Sequence, residues 1–162
     1  MPIRDGVFIS YRRADTPAIA QLIAHQLTAA LGQGVVFLDV TRLEGGDHFP
    51  DVLRQALQRA SVVIVLIGEH WLTAADEFGN RRIDDPTDWV HIELADSLAD
   101  PDVLVVPVLL DDARLPPMQA HLPDSVDPLR QRNTVKARTD HLQNDLVPLI
   151  DRLKARRAIN HD

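Results

Sequence analysis

Between Ser61 and Gly68 the chain runs through six apolar side chains without a break, "SVVIVLIG". A strand with one wet face alternates apolar and polar residues. This one does not alternate, so both of its faces must be covered, as in the centre of a parallel sheet with helices on either side. The other short apolar runs fit around it. "GVFISY" (6–11) reads as the first strand and "VVFLDV" (35–40) as the second. "DVLVVPVLL" (102–110) reads as the fourth, with Pro107 marking a local irregularity, and "NTVKA" (133–137) as a fifth, polar enough for a sheet edge.

Helical spacing separates these runs. Residues 15–31 place Ile19, Leu22, Ile23, Leu27, Ala30 and Leu31 along one face, and Gly32 or Gly34 stops the helix. Pro50 suits the first turn of a second helix, whose apolar stripe is Phe49, Val52, Leu53, Ala56, Leu57 and Ala60. A third runs from about 88 to 99, and an amphipathic helix with a basic end is predicted over 141–157. Residues 69–87 form a long polar loop, of a length often tied to function, and 111–131 are proline-rich with room for one helical turn. Alternating strands and helices imply βαβ units. The fold class expected is α/β: a flavodoxin-like three-layer fold, its five-stranded parallel sheet in the order 2-1-3-4-5. In that order the chain reverses direction between strands 1 and 3, and a ligand crevice opens at their carboxyl ends.

Length and charge narrow the function classes. At 162 residues the chain reads as one domain over 1–158, with 159–162 a tail leading into a linker. A net charge of −7 gives no general attraction to nucleic acid or anionic lipid. No apolar run approaches the ~20 residues of a membrane span. Cysteine is absent, which excludes disulfides, thiolate metal sites and a cysteine nucleophile, and fits a reducing cytosol.

The motifs near the crevice carry the chemistry. "DWVHIEL" (88–94) opens the third helix with Trp89 and Glu93 one turn apart. Val90 and Leu94 must face the sheet, and Glu93 lies ~60° from Val90, at the margin of the buried face. It reads either as a rim carboxylate bonded to a backbone amide or an arginine, or as a partly desolvated carboxylate beside an aromatic wall. In "YRRAD" (11–15), Arg12 and Arg13 can clamp phosphates through bidentate bonds, while Asp15 reads as a helix cap. "EGGD" (44–47) lacks the Gly-Lys-Ser/Thr of a phosphate loop, so Gly45 and Gly46 serve a mobile turn. "DDPTD" (84–88) has the acidity for a cation but reads better as loop solvation with a cap from Thr87 or Asp88. A phosphoacceptor receiver needs an aspartate at the end of strand 3, where this chain has Gly68. The histidines show no metal spacing.

Taken together, "VFISYRRAD" (7–15), "VVFLDVTRLEGGDHF" (35–49), "SVVIVLIGEHWL", "RRIDDPTDWVHIELADSL" and "VLVVPVLLDDARLP" resemble the Toll/interleukin-1 receptor (TIR) domains, in order and spacing, over roughly residues 4–155. The glycine-bearing 41–49 loop and the lack of a Phe-Trp box favour the bacterial branch. The resemblance implies a flavodoxin-like fold, self-association through the BB loop 41–49, and cleavage of NAD⁺ at its nicotinamide–ribose bond. It also implies a cytoplasmic role in antiphage defence signalling, with a fused or partner sensor domain. Trp89 and Glu93 match the family's Trp-x-x-x-Glu pattern, which makes Glu93 the expected catalytic residue. Ser10, Tyr11, Arg12, Arg13, Asp39, Gly45, Gly46, Gly68, Trp71 and Trp89 form the expected substrate-binding set. NAD⁺ is then a substrate, and no cofactor or metal is expected. The alternatives are a non-catalytic TIR interaction module and, on fold analogy, a nucleoside-processing enzyme.

Overall fold

The computed structural model describes residues 4–38 and 50–161. Its five strands are β1 (Gly6–Ser10), β2 (Val36–Leu38), β3 (Ala60–Ile67), β4 (Leu104–Leu110) and β5 (Val135–Ala137). They form one sheet in the order β2-β1-β3-β4-β5, with every neighbouring pair parallel. The helices are α1 (Pro17–Leu31), α2 (Asp51–Arg59), α3 (Trp89–Ala99), α4 (Leu142–Asp145) and α5 (Val147–Asn160).

The alternation of side chains along a strand divides the apolar residues between two cores. From β3, Val62, Ile64 and Leu66 join Ala20, Ile23 and Leu27 of α1 and Leu149 and Leu153 of α5. Val63, Val65 and Ile67 point the other way, into a core shared with Leu57 of α2 and Val90 and Leu94 of α3. All eight residues of β3 are buried, as its unbroken apolar run requires. Gly32 ends α1 with φ +107°, a conformation that a residue without Cβ adopts at little cost.

Four expectations change in detail. The helix expected over 141–157 is two helices meeting at Leu146. Pro148 has no N–H, and its ring crowds the carbonyl four residues back, so the chain restarts its helix there. Val52 is 58% exposed, which leaves Leu53, Leu57 and half-buried Ala56 of the described stripe residues in α2; Ala60 already belongs to β3, and Phe49 lies outside the described residues. Pro107 causes no irregularity. The β3–β4 register runs unbroken from Leu104 to Leu109, and pairing with β5 begins at Val108. The 69–87 loop is largely folded: Ala75 and Arg81 form an antiparallel bridge, Arg82–Asp84 is a 3-10 turn, and the Asp76 carboxylate accepts from the N–H groups of Phe78 and Asn80. Asp39, Gly45, Gly46 and the rest of the 41–49 loop lie outside the described residues.

One surface pair gives a measurable titration. The Arg138 guanidinium bonds both oxygens of Asp145 (3.0 Å each), and the Arg138 N–H adds a third bond. These contacts hold the Asp145 carboxyl at about 2, below its ordinary 3.8. A depressed carboxyl stabilises the fold above its unfolded value, and the contribution is lost as pH falls from about 4 through about 2. In an NMR titration, Asp145 is expected to protonate near pH 2, and Arg138→Ala should bring its midpoint back toward the ordinary value. An unchanged midpoint in that variant would assign the shift to another cause.

Candidate functional site

Ser10 is the last residue of β1 and is fully buried. Its hydroxyl donates to Glu93 Oε1 at 2.8 Å across 83 residues of sequence. Glu93 is 6% exposed, deeper than a place at the margin of the helix face suggests. Its own backbone carbonyl accepts from the Ser97 hydroxyl at 2.6 Å. Val90 and Leu94, packed on the sheet, set the rotation of α3 that brings Glu93 to Ser10. Trp89 begins the helix and is half-buried. A buried carboxylate held by a serine hydroxyl, with a tryptophan one helical turn away, can present negative charge to a cation in a space poor in water, where such charge acts strongly.

The start of α3 is fixed from three sides. Asp88 caps it, accepting from the His91 N–H at 3.1 Å, as expected of a helix cap. His91 is buried, with Nδ1 2.6 Å from the Ile83 carbonyl and Nε2 3.1 Å from the Ser125 hydroxyl. Arg81 pairs with Asp84 and also donates to the His121 carbonyl at 2.5 Å. The guanidinium holds the Asp84 carboxyl below its ordinary value, and the Thr87 N–H and hydroxyl do the same for Asp85. Every carboxylate of 84–88 is thus engaged with protein donors, which bears on the cation reading of that stretch. Among the described residues, no three His, Asp or Glu side chains group as a metal site.

Several expected substrate contacts sit elsewhere. Arg12 is buried, and its guanidinium points inward: Nη1 and Nη2 bond the two Asp88 oxygens at 3.1 and 2.8 Å, and Nε bonds the Trp71 carbonyl at 3.1 Å. An arginine so engaged has little left for a phosphate clamp. Arg13 is exposed and has no ion-pair partner among the described residues. The Trp71 side chain is 1% exposed and belongs to the α2–α3 core, so its indole is mostly packed, although the residue also borders a cleft. Tyr11 is half-buried against the α1–α5 core. Asp15 does not cap α1, whose N-cap is Thr16; its carboxylate accepts instead from the N–H groups of Gly68 and His70, both at 2.8 Å. Gly68 is therefore a point of close approach between the loops after β1 and β3.

A cleft of about 860 Å³ opens at the carboxyl ends of β3 and β4, bordered by Asp15, Gly68, Trp71, Asp111, Arg114 and Pro117 among others. It lies one strand over from the crevice expected between β1 and β3, and neither Ser10 nor Glu93 lines it. The contacts that sequence reasoning missed are those of Arg12, His91 and Ser97. Arg12 and His91 reach partners on other elements, which no spacing announces, whereas Ser97 bonds the carbonyl four residues back in its own helix, a contact that helix geometry offers any serine. Among the described residues no helix is long and apolar enough to cross a membrane.

Comparison with known proteins gives this arrangement its family. A family model described as TIR domain matches residues 7–148. No curated protein matches the sequence. Among solved structures, the chain is similar to one in the activated Roq1 resistosome directly recognizing the pathogen effector XopQ (TIR domains), at 19% identity and a TM-score of 0.47, covering 96% of this chain and 80% of that one. With the family model spanning most of its length and the sheet in the expected order, the chain belongs to the TIR domain family.

Proposed function

We propose that this TIR domain cleaves NAD⁺ at the nicotinamide–ribose bond, with Glu93 as the catalytic residue. The observation that carries the reading is the buried Glu93 carboxylate, oriented by Ser10 and one helical turn from half-buried Trp89. The C–N bond breaks with its electron pair returning to the pyridinium nitrogen, so nicotinamide leaves neutral and needs no general acid. What the site must supply is negative charge beside the ribosyl oxocarbenium, and one carboxylate suffices. Ordinary glycoside hydrolysis, with its poorer leaving group, commonly uses two. Water or a nucleophile within the substrate then adds to the ribosyl carbon, giving ADP-ribose or a cyclic isomer. Trp89 stacks on the nicotinamide or ribose, and Arg13 pairs with the pyrophosphate. In keeping with the resemblance, we read the domain as a self-assembling cytoplasmic effector of bacterial antiphage signalling, its 41–49 loop reaching a neighbouring copy and a sensor domain controlling it.

The test is nicotinamide release from NAD⁺ by purified protein across a wide dilution series, with 2′-deoxynucleosides as the comparison substrate. Release whose specific activity rises steeply with protein concentration is expected. Specific activity that is constant on dilution would remove the assembly requirement. Release of bases from 2′-deoxynucleosides instead would point to a nucleoside-processing enzyme, and no turnover of either substrate to a docking module.

A further inference from the structure

The segment after β1 fastens the site. Ser10 bonds Glu93. Two residues on, Arg12 bonds both oxygens of Asp88, the residue immediately before Trp89. The two side chains are nearly sealed from water, at 4% and 10% exposure. Asp88 and Glu93 are five residues apart, which is ~7.5 Å along a helix axis. One short stretch of chain thus grips α3 at two heights, and two such points fix both its rotation and its position along its axis. The same stretch grips the loop after β3, through Arg12 on the Trp71 carbonyl and Asp15 on Gly68 and His70. The Arg12 carbonyl is itself held by the N–H groups of Asp15 and Thr16, both at 3.0 Å.

A buried ion pair is a poor device for stability alone, because desolvation cancels much of the attraction, and apolar side chains often serve as well. A bidentate fork does what apolar packing does poorly: it specifies one geometry. We propose that Arg12 is a positioning residue, whose buried pair with Asp88 sets the start of α3 and thereby places Trp89 and Glu93 against Ser10. The proposal rests on the reading that Glu93 acts on NAD⁺.

Two variants test it. Asp88→Asn keeps a good helix cap and removes the charge that answers Arg12. Arg12→Lys keeps the charge and removes the fork. Each is assayed for kcat and KM toward NAD⁺ under assembling conditions, at a temperature where both are fully folded. Amide hydrogen exchange over 88–93 is measured alongside. Displacing a catalytic group by about 1 Å can cost a hundredfold in rate, so kcat is expected to fall on the order of ten- to a hundredfold. KM should stay within about twofold, because substrate contacts are not removed. The amides of His91 and Ile92 should exchange faster. A rise in KM at unchanged kcat would overturn the proposal and return Arg12 to phosphate binding. Faster exchange with unchanged kcat would overturn it too, leaving a purely structural pair. If the wild-type protein releases no nicotinamide, the catalytic reading of Glu93 fails on its own; unaltered exchange in both variants would then overturn the placement of α3 by Arg12, and faster exchange would uphold it.

Discussion

Glu93→Gln is expected to reduce nicotinamide release a hundred- to a thousandfold and to leave the protein folded. Glutamine keeps the volume of the side chain, and its carbonyl oxygen can still accept the Ser10 hydroxyl that now bonds Glu93 Oε1. What it lacks is the negative charge facing the ribosyl cation. A preorganised charge in a dry site is worth several kcal/mol, and losing about 3–4 kcal/mol gives that range of rates. Stability should change little, because glutamine keeps the packing and the bond from Ser10. The measurement is nicotinamide release and thermal midpoint for both proteins under assembling conditions. A variant that folds and still cleaves NAD⁺ at the wild-type rate would leave Glu93 a structural carboxylate bonded to serine. The paired midpoint matters, because a lost rate in an unfolded protein says nothing about charge.

How much of this was legible in the sequence depends on where the deciding interaction lies. The run from Val62 to Ile67 reads as a central strand, because its length and β-branched residues suit a strand and nothing in it tolerates water on either face; the two cores it feeds follow from its alternation. Val90 and Leu94 gave the rotation of α3 by the same logic and put Glu93 at the margin of the buried face; the fold buries it deeper than that. Arg12 was different. Two arginines at the carboxyl end of a strand look alike in sequence, and only the fold brings Asp88 within reach of one of them, 76 residues on. Trp71 carried no periodic signal either, since it lies in a loop; its burial comes from the core that the loop covers. Asp15 sits where a helix cap is expected, but its carboxylate accepts from two N–H groups that follow β3, and Thr16 holds the N-cap position of α1. Local chemistry was readable wherever period and burial agree. Long-range polar pairs were not, because a charged side chain has no preferred sequence distance to its partner.

Gly68→Ala should cost about 2–4 kcal/mol of stability, although it adds a single methyl group to a loop. The position follows Ile67, the last residue of β3, and does not lie among the glycines with positive φ, so the cost is steric rather than conformational. An added Cβ would stand 2.7 Å from Asp15 Oδ1, 2.9 Å from Oδ2 and 2.7 Å from Thr16 Cγ2. None of these atoms can yield cheaply. The Asp15 carboxylate holds the N–H groups of Gly68 and His70, and Thr16 is a buried, β-branched side chain at the head of α1. Moving the carboxylate leaves two donors without their charged acceptor, and bonds to charged groups are worth ~1.5–3 kcal/mol each. For a domain of this size the thermal midpoint should fall by roughly 4–16 °C. The cause can be isolated by a double-mutant cycle. With Asp15→Ala already present, the carboxylate is gone, and Gly68→Ala should then cost markedly less than it does alone, because only the contact with Thr16 remains. Additive losses would refute the steric account. A Gly68→Ala protein of wild-type stability but raised KM for NAD⁺ would instead make Gly68 a point where substrate approaches the backbone, the role its place after β3 first suggested.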